Sequence, residues 1–202
     1  MRRAILIAMF GCVLTTPVSA QRWIADTPQD EKPAFSMMPP GWHVTTAAAG
    51  GILFDAAQTA AERFAVEEEV FIFPGTSEEG YGVFVGGQNL EAGERSYIAF
   101  LVRPDGSAGV FHYSGARAEP IIAWAHTEAV LPPGQSEPTR NVIRVLAEPD
   151  SVRFLANGKE IAALARSSLA LDGNFGLRVG SGLNVHVSNL DITRRLAPSP
   201  RR

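Results

Sequence analysis

Val66–Val70 reads Val-Glu-Glu-Glu-Val, and two of its carboxylates are spaced for acid–base work. On a strand, Glu67 and Glu69 project to one face, about 7 Å apart by strand rise. Carboxyl groups roughly 5–9 Å apart can cleave glycosides as acid plus nucleophile or base. The plain alternative is a solvated strand face with Arg103 or Arg144 nearby. Glu68 differs, because it shares parity with Phe64, Val66, Val70 and Ile72. It sits at a kink or is buried with a partner. A buried carboxyl without a compensating donor or cation has a raised pKa.

The histidines are His43, His112, His126 and His186. Imidazole is the usual neutral-pH acid, base and metal ligand. No two of them have the spacing of His-x-x-x-His. A metal site would therefore assemble across strands; a divalent metal is open, but no motif requires one. His43 follows Trp42, and His126 lies near Trp124. An indole beside a polar ring suits a sugar: the indole stacks on the apolar sugar face while its neighbours bond the hydroxyls. The alternative is core tryptophans with histidines at strand edges. Gly86-Gly87-Gln88-Asn89 offers amides on a bend, which serve either sugar hydroxyls or simple turn chemistry. The ligand-binding candidates are thus Trp42, His43, Asn89, Trp124 and His126. An enzyme would draw on Glu67, Glu69, His126 and His186. The chain has neither a Gly-rich nucleotide loop nor a Gly-x-Ser-x-Gly elbow.

These residues need strands to hold them. Ser151–Gly180 reads strand, Asn157-Gly158 turn, strand, loop, strand. Asn-Gly tolerates the positive φ of a tight hairpin, and hairpin geometry alone accounts for it. Tyr97–Arg103 is apolar at both parities, as a central strand covered on both sides is. In Val185–Ile192 the apolar parity flips after Val187, which predicts a bulge near Ser188-Asn189. Ala56–Glu62 is the one helix candidate. Many short strands and nineteen glycines predict an all-β sandwich or barrel.

The N-terminus frames this domain. Met1-Arg2-Arg3, an apolar run from Ala4, and Val18-Ser19-Ala20 read as a secretory signal over residues 1–20. The apolar run is too short to span a bilayer. The expected destination is the periplasm or the extracellular space. Cys12 is the only cysteine and lies inside this signal, so the mature chain has no disulfide; lipidation at Cys12 is the alternative. Residues 21–40 hold four prolines and read as a lead-in with little regular structure. The sandwich domain covers 41–194, and 195–202 form a basic tail expected to be frayed and disordered. The net charge of −3 falls further once Arg2 and Arg3 leave, which argues against a nucleic-acid partner.

The order of the pieces carries a resemblance. Gly82–Gly87, Tyr97–Gly106, Asn141–Val145, Val152–Gly158, Gly176–Val179 and Val185–Ile192 resemble the concanavalin A-like lectin/glucanase sandwich. Within it, the chain looks closest to secreted bacterial domains grouped with laminin G-like domains, including one labelled 3-keto-disaccharide hydrolase. The resemblance implies an antiparallel two-sheet jelly roll and a glycan ligand on a concave sheet face. The Glu-x-Asp-x-x-Glu motif of the related glucanases is absent, so no catalytic residue carries over. The expectation is an exported, non-catalytic module that binds glycan or another surface ligand. A hydrolase or lyase of keto-disaccharides is the alternative, and a protein-interaction domain with a broad apolar patch is the third reading.

Overall fold

A computed structural model of the chain describes residues 21–26 and 34–194. The expected signal and basic tail lie outside the described residues. Among the described residues, fourteen strands, numbered in chain order, form two seven-stranded sheets. The first sheet runs β1 (Gln21–Ala25), β4 (Gly51–Ala60), β13 (Gly173–Val179), β6 (Tyr81–Gln88), β7 (Ser96–Val102), β8 (Ser107–Ser114) and β9 (Arg117–His126). The second runs β12 (Lys159–Ala165), β11 (Ser151–Ala156), β10 (Thr139–Ala147), β5 (Phe64–Ile72), β14 (Asn184–Arg194), β3 (Trp42–Thr45) and β2 (Ala34–Met37). Neighbouring strands pair antiparallel. The protein is an all-β, two-sheet antiparallel sandwich, as the strand pattern and the resemblance implied.

Strand alternation builds the core. Phe64, Val66, Val70 and Ile72 turn inward from β5 and are fully buried. Ile98, Phe100 and Val102 do the same from β7. Phe100 meets Phe154 of β11, ring centroids 5.5 Å apart, and so joins the sheets. Burying each such side chain contributes about 1.5–3 kcal/mol. Polar groups that enter the core are mostly bonded. Asn141 Nδ2 donates to the Tyr81 hydroxyl at 3.2 Å and to the Leu131 carbonyl at 2.9 Å.

Several local readings hold. β7 lies between β6 and β8, with both faces buried after Ser96. The β14 register slips between Val187 and Asn189, which returns Leu190 and Ile192 to the core side. Asn157 has φ +50° and Gly158 φ +78°, as the hairpin requires.

Three readings are corrected. Ala56–Glu62 is not a helix; β4 runs through Ala60. Its register with β13 jumps from Phe54 opposite Gly176 to Thr59 opposite Asn174, so Asp55–Gln58 bulges out. Asn174 Nδ2 donates to the Ala56 and Gln58 carbonyls of this bulge, at 3.2 and 2.8 Å. Alanine propensity is weak, and so short a segment cannot offset helix nucleation. The one helical turn among the described residues is the 3-10 turn Arg166–Ser168.

The lead-in is also more regular than its prolines suggested. Gln21–Ala25 and Ala34–Met37 are edge strands, one on each sheet. Neither strand contains a proline. Asn157, finally, does more than shape a turn. Its Oδ1 accepts from the Val142 amide, and its Nδ2 donates to the Ala129 carbonyl and Asn141 Oδ1, each at 2.8 Å.

Candidate functional site

The outward side of the first sheet is not a plain polar face. Tyr97, Ala99 and Leu101 leave β7 opposite the core residues and join Ile52, Phe54, Phe84, Leu90 and Phe111 in a second apolar layer. Tyr113 and Trp124 pack against its margin and are half-buried. At that margin lies a cavity of about 190 Å³. Glu79, Arg103, Phe111, Tyr113, Trp124 and Arg178 are among its walls.

Trp124 is held on several sides. Its ring centroid is 4.8 Å from that of Phe111, at 43°. The Arg103 guanidinium carbon stands 4.0 Å from the indole centroid. Gly80 lies beneath, and a Cβ there would come within 2.8 Å of the indole. Only a residue without a side chain leaves this seat open.

Arg178 supports the other wall. It is buried, at 7% exposure. It donates to both Asp26 carboxylate oxygens, at 2.9 and 2.8 Å, and to the Tyr97 hydroxyl at 3.0 Å. Arg95 donates to Asp26 Oδ1 and to the Ala25 carbonyl, both at 3.0 Å. A buried cation persists when its donors are used this fully. Burial works against the charge on Arg178, but Tyr97 and Asp26 outweigh it and hold the group protonated. Tyr113 stacks on Tyr97 at 4.8 Å and 9°, with Arg178 4.2 Å from its ring. Burial pushes the Tyr97 hydroxyl above its ordinary range.

The cavity therefore combines aromatic surface, guanidinium donors and the exposed acceptor Glu79. It has no histidine and no second carboxylate in its wall. That set suits holding a polyhydroxylated ring: the aromatic surface that Arg103 and Arg178 leave uncovered meets its C–H groups, and charged groups meet its hydroxyls.

The structure separates most of the sequence candidates. Trp124 alone lies in this cavity. His126 ends β9, exposed, against Gly106, with Nδ1 3.2 Å from the Asp105 carbonyl oxygen. Asn89 is exposed in a turn at φ +51°, its carbonyl accepting from Ala92. Trp42 and His43 are consecutive on β3 and so face opposite ways. Trp42 packs against the core and lines a second cavity, of about 290 Å³, with Leu53, Phe175 and Ile192. His43 faces outward, 6.2 Å from His186 and 5.2 Å from Phe73 by ring centroids. His186 Nε2 lies 3.0 Å from the Pro40 carbonyl oxygen.

Glu67 and Glu69 share the outer face of the second sheet and are held by arginines. Glu67 lies 3.6 Å from Arg144, and Glu69 pairs with Arg140. Hydrogen bonds from Arg140 and Ser188 hold the Glu69 carboxyl below its usual range. His186 is on this sheet too, whereas His126 is on the other. The four acid–base candidates do not share a cleft. Among the described residues, no three His, Cys, Asp or Glu side chains group as a metal would need.

Glu68 faces inward and is 1% exposed. Its Oε2 has no hydrogen-bond partner. Burial raises its carboxyl from 4.5 to about 8.

Arg103, Glu79, Phe111 and Tyr113 were missed as site residues. One signal was available. Tyr97–Arg103 is apolar at both parities, so its outward parity had to meet a second layer. Phe111 and Tyr113, two apart on the next strand, belong to that layer's margin.

No family model matches this chain, and no curated protein matches it. Solved structures do. The carbohydrate-binding module CBM66 from Bacillus subtilis aligns at TM-score 0.62 and 14% identity, over 84% of this chain and 94% of that one. The exoplasmic/lumenal domain of VIP36, in a Ca2+/Man3GlcNAc-bound form, aligns at 0.62 and 9%, over 90% and 86%. Sheep galectin-11 in complex with glycerol aligns at 0.51 and 12%, over 78% and 100%. At these identities the likeness establishes the fold, which is the concanavalin A-like lectin sandwich.

Proposed function

We propose that this protein is a carbohydrate-binding module that takes its sugar at the Trp124–Arg103 cavity and carries out no chemistry on it. The observation that carries the reading is the seat of Trp124: a half-buried indole fixed between Phe111 and Arg103, opening on a cavity with an exposed carboxylate. The carbohydrate binding named for CBM66 and the Man3GlcNAc bound to VIP36 support it, since those proteins share the fold. The basic, apolar and small-residue order of Met1–Ala20 supports export before binding. The hydrolase reading lacks an assembled site, because Glu67, Glu69 and His186 lie on the second sheet and His126 on the first.

Thermal melting of the protein against a panel of glycans tests this. A ligand that binds only the folded state adds about 2.7 kcal/mol at a hundred times its Kd. The expected result is a raised midpoint with at least one sugar, abolished by Trp124→Ala. A sugar shift that survives Trp124→Ala would remove the site. No shift with any sugar would leave a protein-interaction domain as the better reading.

A further inference from the structure

We infer that the sugar taken at this site carries a carboxylate, as a uronic acid does; the inference rests on the carbohydrate-binding reading above. It starts from an imbalance among the arginines. Arg95 and Arg178 share Asp26, while Arg140 and Arg144 take Glu69 and Glu67. Arg103 has no carboxylate partner among the described residues. Its contact is the face of Trp124, and its Nε is buried without a hydrogen-bond acceptor.

A guanidinium over an indole gains cation–π attraction, yet its N–H donors still require acceptors. A partly desolvated charge left unpaired is costly. An anion arriving from solution removes that cost. A planar carboxylate fits best, because it accepts two parallel N–H bonds from one guanidinium. Glu79 stands in the same cavity wall without an ion pair to Arg103. Its negative charge directs a ligand carboxylate away from itself and toward Arg103, and it can accept from sugar hydroxyls.

The test is calorimetric titration of the protein with tetrasaccharides of galacturonate, glucuronate and mannuronate. Each is compared with its carboxyl-reduced, neutral counterpart. At least one uronate should bind about tenfold more tightly than its neutral partner, the scale of one charge-assisted contact. That preference should shrink as salt rises. Arg103→Gln should erase it, and Arg103→Lys should keep part of it. Arg144→Gln, on the other sheet, should leave it unchanged. Neutral sugars that bind as well as the uronates, with Trp124→Ala still abolishing binding, would overturn this inference and leave the binding function standing. Absence of binding by any charged or neutral sugar would overturn both.

Discussion

Asp26 and Arg178 lie 152 positions apart in the chain and meet through two hydrogen bonds, 2.9 and 2.8 Å long. Asp26 follows the first edge strand, and Arg178 stands on an interior strand of the same sheet. The pair thus ties the N-terminal strand to the face that carries the cavity. Asp26→Asn should leave Arg178 and Arg95 short of their counter-ion. Removing one partner of a buried pair costs about 3–5 kcal/mol. Asp26 is partly exposed, so a loss near 3 kcal/mol is expected. Urea unfolding of Asp26→Asn should show it. Glu67→Gln, at an exposed pair, should change stability by less than about 1 kcal/mol. Equal effects of the two variants would contradict the assignment.

Glu68 should impose a pH dependence opposite to that of an ordinary acid. Its folded carboxyl titrates at about 8 and its reference at 4.5. Between these values the folded state binds more protons than the unfolded chain. Stability therefore falls as pH rises through this window, by up to about 1.4 kcal/mol per pH unit, and is flat in this contribution outside it. Glu68→Gln keeps the shape and removes the titration. Unfolding of both proteins from pH 5 to 8 should show the variant gaining on the parent with each step. Parallel pH profiles would count against the buried, unpartnered carboxyl.

Gly80 should matter through Trp124. A Cβ at position 80 would meet the indole at 2.8 Å and the Leu101 side chain at 3.2 Å. Overpacking of this kind costs about 1–3 kcal/mol. Gly80→Ala should shift the tryptophan emission and weaken sugar binding, while the fold persists by circular dichroism. Unchanged emission and affinity would show that Trp124 does not depend on this seat.

Asn157 separates turn geometry from tertiary bonding. Asn157→Gly keeps the positive φ and loses the side-chain bonds to Val142, Ala129 and Asn141. A loss of about 2–4 kcal/mol is expected, from buried groups left unpaired. Asn157→Ala adds the left-handed backbone cost of a further 1 kcal/mol or so. A neutral Asn157→Gly, read by thermal unfolding, would reduce the residue to its turn.

Much of the fold could be read from local pattern. Strand parity identified β5 and β7, and the flip after Val187 located the bulge in β14. Both signals act within a few residues, because successive side chains alternate between faces. Pattern failed where pairing overrode propensity. The alanine-rich Ala56–Glu62 became a strand and bulge because β13 lies beside it and Asn174 bonds its carbonyls. The prolines around residues 21–40 masked two edge strands, which are too short to show a period of their own. Of the five ligand-binding candidates, only Trp124 reached the cavity. Trp42 and His43 are adjacent on one strand, and adjacency on a strand puts two residues on opposite faces.

By itself, the sequence determined the strand pattern, the Asn-Gly turn, the β14 bulge and the inward parity of Glu68. Each depends on backbone geometry and the alternation of nearby side chains. Only the tertiary structure decided which outward face became a second apolar layer, and that Arg103 met the face of Trp124 instead of a carboxylate. Arg103 leaves the end of β7 and Trp124 stands on β9, with β8 between them. Their contact depends on three strands aligning in register. No interval along the chain encodes that contact, because it is selected by how the whole sheet packs.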